Sequence, residues 1–404
     1  RQRQMCIRDR VTLHGYLDAF YDYKFPAIVL PAKLDLEAVA NVFTKLNTSG
    51  MKLSAFDLCV SKLFPEKVNL RSMWSEIKDD ADISLLDSDG TAILQTIALL
   101  DNQVPKKAAL VKVISKTAVN AYWNKSVQAM RDTASLFNQS GSRSKSTVPY
   151  DTIAPSLAAA ISIAKEARTP PEKASRQRKV TRWIVQSAFL QRYTEGTDAK
   201  KPEDVQMAIS WLDSNTVPTF LEEKVIWQPS SNSSKTSGAR YAAFLAILNS
   251  KSPTDFVMDQ SIGIETPGIE PAQIHHIFPK AFLKSRGLDE EPNLMLNMTF
   301  LTGPSNNFIS DNAPSVYISN LLKRFEEDGL SKVAARQKLV DRLSGHLISE
   351  QGLEALLAND YDRFIDSSAT ELLKHLESLG IPVSRVSDDV VDGEEELEDD
   401  ELTS

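Results

Sequence analysis

Cysteine is nearly absent: Cys6 and Cys59 are the only two in 404 residues, far apart and in no metal-ligand spacing, which argues against a disulfide framework or a zinc ribbon. No apolar run approaches the ~20 residues that a membrane-spanning helix needs, and no signal peptide is visible. The default expectation is therefore a cytoplasmic protein with no membrane partner. Glycine never falls at the spacing of a Walker or Rossmann phosphate loop, and no internal repeat is visible. What is present is an ordinary globular composition, 42% hydrophobic and 25% charged, in a chain long enough for two or three cores.

The net charge of -8 looks wrong for a protein that meets nucleic acid until its distribution is read. Ten acidic residues crowd between Asp388 and Glu401 with no basic residue among them. Setting those ten aside leaves 46 basic residues against 44 acidic, a charge of +2, which is compatible with a DNA-binding body. The acidic stretch itself reads as a disordered, solubilising tail.

Along the chain, residues 1–10 show neither hydrophobic periodicity nor an initiator Met and read as a non-native scar. A short apolar strand is expected at Phe25–Pro31, and an amphipathic helix at Leu36–Leu46 with Val39, Val42, Phe43 and Leu46 on one face. Asn47–Gly50 makes a tight turn, and Ser54 with Asp57 forms a capping box for the next helix. From about Val68 to Phe256 the pattern is helical. The expected helices are 93–100, 108–131, 153–168, 172–193, 201–212 and 239–248, with breaks at 140–149, at Pro170-Pro171 and at the Ser-rich 228–238. Within 172–193, Arg176, Arg178, Lys179 and Arg182 read as a solvated face, and Trp183, Phe189 and Tyr193 as core. Further helices run to about Leu379.

Two of the chain's five histidines stand side by side in Gln273-Ile-His275-His276-Ile-Phe-Pro-Lys280, a strand-like run followed by Asn297-Met-Thr-Phe-Leu301 and then Asn306-Asn307. One imidazole can hold a divalent cation while its neighbour takes a proton from water, which is the inventory of a one-metal phosphodiester nuclease. The blander reading is a strand with alternating faces that buries one histidine as a hydrogen-bonded core residue and leaves the other on the surface.

The order of these residues resembles the HNH nuclease motif, a two-stranded hairpin and helix around one metal. The resemblance implies His276 as general base, His275 as the adjacent metal ligand, Asn297 as the residue that orients the base and ties the loop, and Asn306 as the second metal ligand. Two departures stand out. A histidine replaces the carboxylate often found at the first ligand, which shifts the expected metal from Mg2+ toward Mn2+ or Ni2+. Ile309 occupies the place one turn later where many such sites carry a basic residue. Lys280, Lys284 or Arg286 are the candidates to approach DNA phosphate instead.

Further segments fall in one order: Phe43–Leu58 with its Asn-Thr-Ser-Gly, Val148–Asp151, Arg182–Val185 with Gln191–Tyr193, Ala239–Phe244, and the His275–Asn306 motif. Together they resemble two-part, modification-dependent restriction enzymes of the GmrSD type and related phage-defence nucleases. That family implies an α+β, predominantly helical fold with a small ββα-metal (HNH) unit near the C-terminus and a remnant α/β segment at the N-terminus. The implied division is 11–66 as the end of a ParB/sulfiredoxin-like domain, 67–260 as a helical domain, 261–330 as the HNH unit, 331–385 as C-terminal helices and 386–404 as the acidic tail. The family's Asp-Gly-Gln-Gln-Arg motif is absent from this sequence, so the nucleoside triphosphate site is expected to be missing and the pattern to be entered late. The implied partner is double-stranded DNA, base-modified or not, and self-association into a homo-oligomer is compatible with the pattern. The competing expectation is a non-catalytic interaction or regulatory module built on a structural HNH-like knuckle. An RNA-directed nuclease is disfavoured because no aromatic-rich platform is present.

Overall fold

The computed structural model describes residues 54–228, 236–265, 268–288 and 293–386, which belong to one compact unit beginning at Ser54. The expected strand at Phe25–Pro31, the helix at Leu36–Leu46, the turn at Asn47–Gly50 and the acidic tail lie outside the described residues. Within them the protein is mostly helical with three two-stranded sheets, an α+β composition.

Helix α1 (Ala55–Leu63) starts at the expected capping box. Ser54 Oγ accepts from the Asp57 amide at 3.2 Å, and the Asp57 carboxylate accepts from the Ser54 amide at 3.0 Å. There follow α2 (Leu70–Ser75), α3 (Ala81–Leu86), α4 (Thr91–Leu100), α5 (Leu110–Val113), α6 (Lys116–Gln139), α7 (Ala154–Ile163), α8 (Pro170–Phe189) and α9 (Thr197–Ser214). Of these, α1, α5, α6, α7 and α9 pack against α4, which is buried on all sides except at Ala92, as an all-round apolar helix must be. Each Ile or Leu sealed there contributes about 1.5–3 kcal/mol.

Several helix boundaries differ from the sequence expectation: the helix expected over 153–168 ends at Ile163, and two further differences have a capping reason. The stretch 108–131 is not one helix. Ser115 is extended and its side chain accepts from the Ala118 amide, so the chain breaks there and α6 starts afresh, then runs on to Gln139. In α8, Pro170-Pro171 do not interrupt but open the helix, because first-turn amides have no helical acceptor to lose. Thr169 and Glu172 close the capping box around them.

Of the basic residues read as a solvated face on α8, Arg178 is exposed, whereas the other three reach backbone carbonyls. Lys179 Nζ donates to the Trp211 carbonyl at 2.5 Å, Arg182 donates to the Leu221 carbonyl at 2.5 Å, and Arg176 donates to the Lys165 carbonyl. On the inner side Trp183 and Tyr193 are buried as expected, joined by a 3.1 Å hydrogen bond from the indole to the phenol, which in turn donates to Asp204 at 3.0 Å.

The remaining elements are β1 (Val225–Trp227), α10 (Gly238–Lys251), β2 (Ile262–Gly263), β3 (Glu270–Pro271), β4 (Gln273–His276), α11 (Lys280–Ser285), β5 (Met298–Leu301), α12 (Gly303–Ile309), α13 (Pro314–Glu327), α14 (Lys332–Ser344), α15 (Glu350–Ala358), α16 (Tyr361–Ser378) and β6 (Val383–Arg385). Strands β1 and β6 pair in parallel, as do β2 and β3, while β4 and β5 are antiparallel. Helix α10 is fixed against the loop after α6 at Gly141. That residue has φ +90°, and a Cβ on it would lie 2.0 Å from the Ala246 carbonyl oxygen. Buried Asn249 completes the contact: its amide donates to the Gly141 carbonyl at 2.9 Å, and its carbonyl accepts from Ile264 at 2.9 Å. One side chain thus links the helical core to the segment that leads into β4.

Candidate functional site

Strand alternation sets the β4/β5 hairpin between two cores. The register pairs Ile274 with Phe300 and His276 with Met298 on one face, and Gln273 with Leu301 and His275 with Thr299 on the other. Ile274, Met298 and Phe300 pack into a cluster with α10 and α16, whereas Leu301 joins Ile277, Phe278 and the α13–α15 helices. Every residue of β5 is buried. The two histidines therefore leave the strand on opposite faces, both half-buried.

Neither fits the blander expectation of a hydrogen-bonded core histidine beside a surface one. Nε2 of His275 is buried and has no hydrogen-bond partner among the described residues. Burial, reinforced by neighbouring His276, pushes the His275 pKa below the usual histidine value and favours the neutral ring. A neutral imidazole with an unengaged nitrogen is the form that ligates a metal. His276 Nε2 lies 3.1 Å from Asn293 Oδ1. Burial also lowers the His276 pKa, the Asn293 bond opposes that, and the Lys280 ammonium adds to it.

Asn297 is buried and grips the turn after β4 through both ends of its carboxamide. Oδ1 accepts from the Phe278 amide at 2.8 Å, and Nδ2 donates to the Phe278 carbonyl at 3.1 Å. Its own carbonyl accepts from the Ile277 amide at 2.8 Å. Buried Tyr317 holds the same turn from α13, donating to the Ile277 carbonyl at 2.9 Å. The backbone leaving His276 is thus held from two directions.

Asn306 sits in α12, which follows β5 directly. Thr302 caps the helix, and the partly buried Asn306 carboxamide makes no hydrogen bond among the described residues. The start of α12 is clamped by fully buried Asp255. One carboxylate oxygen accepts from the Thr302 amide at 2.9 Å, and the other from the Ser305 hydroxyl and from the amides of Val257 at 3.0 Å and Met258 at 2.8 Å. Burial pushes the Asp255 carboxyl up, but these bonds outweigh it and hold the pKa below the ordinary value.

The basic candidates separate. Lys280 opens α11 and its charge reaches His276, whereas Lys284 and Arg286 are exposed further along, the Arg286 guanidinium lying 5.3 Å from the Phe282 ring centre. Ile309 is buried in the core beneath α12, so a basic residue there would be desolvated.

Among the described residues no group of three or more His, Cys, Asp or Glu side chains is placed to hold a metal ion. Of the residues singled out by sequence as metal ligands, His275 has a buried imidazole nitrogen and Asn306 a half-buried carboxamide, neither with a hydrogen bond among the described residues. Sequence reasoning missed Asn293, Asp255, Thr299 and His346, which act around these residues. Only Asp255 carried a signal, since Pro253-Thr-Asp reads as the start of a side-chain-capped turn.

No family model matches the chain. It is similar to an uncharacterized protein of Methanocaldococcus jannaschii, 25% identical over 368 residues that cover 86% of this chain and 61% of that protein. The chain therefore spans less than two thirds of the length of the curated relative it matches.

Proposed function

We propose that this protein is a metal-dependent DNA endonuclease of HNH type, serving a phage-defence or modification-dependent restriction system in the cytoplasm. The observation that carries the reading is the unpartnered, buried Nε2 of His275 beside a histidine whose ring is already held, on a strand end that Asn297 ties down. A divalent metal ion, held by His275 and Asn306, would supply charge stabilisation at the scissile phosphate. His276 takes the proton of the attacking water as the new phosphorus–oxygen bond forms and the bond to the leaving sugar oxygen breaks, with solvent protonating that oxygen. Lys280, the basic candidate whose charge reaches His276, approaches the phosphate backbone of double-stranded DNA.

Two variants test the reading. His276→Ala abolishes plasmid nicking while Mn2+ affinity stays within about threefold, whereas His275→Ala loses both. Equal loss of metal binding in the two variants shows that the roles are wrongly assigned. Buried Ile309, where a basic residue would assist catalysis, favours a second reading, a metal-stabilised knuckle without activity. Under that reading His275→Ala loses metal and stability together, and no wild-type nicking is seen.

A further inference from the structure

We propose that Asn293 is a positioning residue for His276: its side-chain carbonyl accepts the Nε2 hydrogen and so reserves Nδ1 as the ring nitrogen with a lone pair. The inference rests on the reading of His276 as general base and adds which nitrogen works and what holds it. A carboxamide oxygen can only accept, so at 3.1 Å from Asn293 Oδ1 the Nε2 atom must carry the hydrogen. A neutral imidazole has one ring hydrogen, and fixing it on Nε2 leaves Nδ1 basic. Among the described residues no other group is seen to accept from the His276 ring. The Lys280 ammonium has no acceptor to give, and His275 leaves the strand on the other face.

The placement of Asn293 strengthens the assignment. It lies four residues before Asn297 in the segment that enters β5, and a 3-10 turn over Met295–Asn297 separates the two, closed by the Asn297 amide on the Leu294 carbonyl at 3.0 Å. One segment thus supplies two carboxamides. Asn297 fixes the backbone just after His276, and Asn293 fixes its ring. With the main chain held at one point and the ring at another, the imidazole has one orientation and one tautomer, which is what a general base requires of its scaffold.

The test is nuclear magnetic resonance of the full chain with isotope-labelled histidine at one mildly alkaline pH, the His276 signals being identified by their loss in His276→Gln. The expected result is an Nε2–H tautomer in the wild type, a mixture of tautomers in Asn293→Ala, and recovery of the wild-type pattern in Asn293→Asp, which keeps an acceptor. In DNA cleavage, Asn293→Ala lowers kcat on the order of tenfold with KM and Mn2+ affinity within about twofold. An Nδ1–H tautomer in the wild type, or a tautomer unmoved by Asn293→Ala, overturns the inference. A wild type that shows the Nε2–H tautomer yet cleaves no DNA at any metal concentration instead overturns the endonuclease reading and leaves the hold on the ring standing.

Discussion

Thr299 donates its hydroxyl hydrogen to Nδ1 of His346 across 2.6 Å, and the direction of that bond is fixed from the far side of the ring, where Nε2 lies 2.8 Å from the Thr254 carbonyl and must be the donor. Thr299 is the cross-strand partner of His275, so a buried polar chain runs from the turn between α14 and α15 to the face of the hairpin that bears the candidate metal ligand.

The protonation of His346 follows. Burial brings its pKa from 6.5 down to about 4, against the Thr254 bond and the Asp255 charge. As pH falls the unfolded chain takes up this proton first, so the stability tied to the neutral ring is complete above about pH 6.5 and is lost toward pH 4. Denaturant titrations of wild type and His346→Gln between about pH 7 and pH 5 should show the stability difference shifting against the wild type by roughly 2 kcal/mol. A pH-independent difference would contradict a neutral His346.

Removing Asn297 strands two backbone groups at once. Asn297→Ala leaves the Phe278 amide and carbonyl buried without their partner, at a cost of about 2–4 kcal/mol. The readout is the denaturation midpoint, and a loss below about 1 kcal/mol would mean that the turn is held by Tyr317 alone.

Metal choice depends on charge. His275 and Asn306 bring none, and the buried carboxylate of Asp255 is already engaged by hydrogen bonds on both oxygens. Mn2+ or Ni2+ should therefore support more cleavage than Mg2+ at equal concentration. A clear Mg2+ preference in a metal titration would require another carboxylate at the site.

Gly141→Ala should be among the most damaging single-methyl changes in the chain. The new Cβ meets the Ala246 carbonyl at 2.0 Å in a backbone conformation that side chains disfavour, so α10 must move or the loop must rebuild. A loss of roughly 3 kcal/mol or more is expected by calorimetry, and a variant as stable as wild type would mean that the loop after α6 yields freely.

The sequence made the helices legible where caps and periodicity agreed, as at Ser54 with Asp57. It misplaced boundaries where a single side chain decided them, because the extended backbone of Ser115 and the opening prolines of α8 are local hydrogen-bond outcomes that hydrophobic period does not encode. At the candidate site, His275, His276, Asn297 and Asn306 were visible through spacing and resemblance. Asn293, Asp255 and His346 were not, since what matters about them is contact across the fold: Asp255 reaches Ser305, and His346 reaches both Thr299 and Thr254. The parallel β1–β6 pair was equally hidden, because its strands are three residues each and far apart in the chain.

That pair sets an order on assembly during synthesis. Val225–Trp227 leaves the ribosome long before Val383–Arg385, yet its ladder bonds depend on the later strand. The helical core around α4 can close while translation continues, but the cluster that joins α10 to α16 must wait, with an unpaired strand open to other chains. Emergence of Val383–Arg385 from the ribosome is therefore the earliest point at which the β1 edge can be covered.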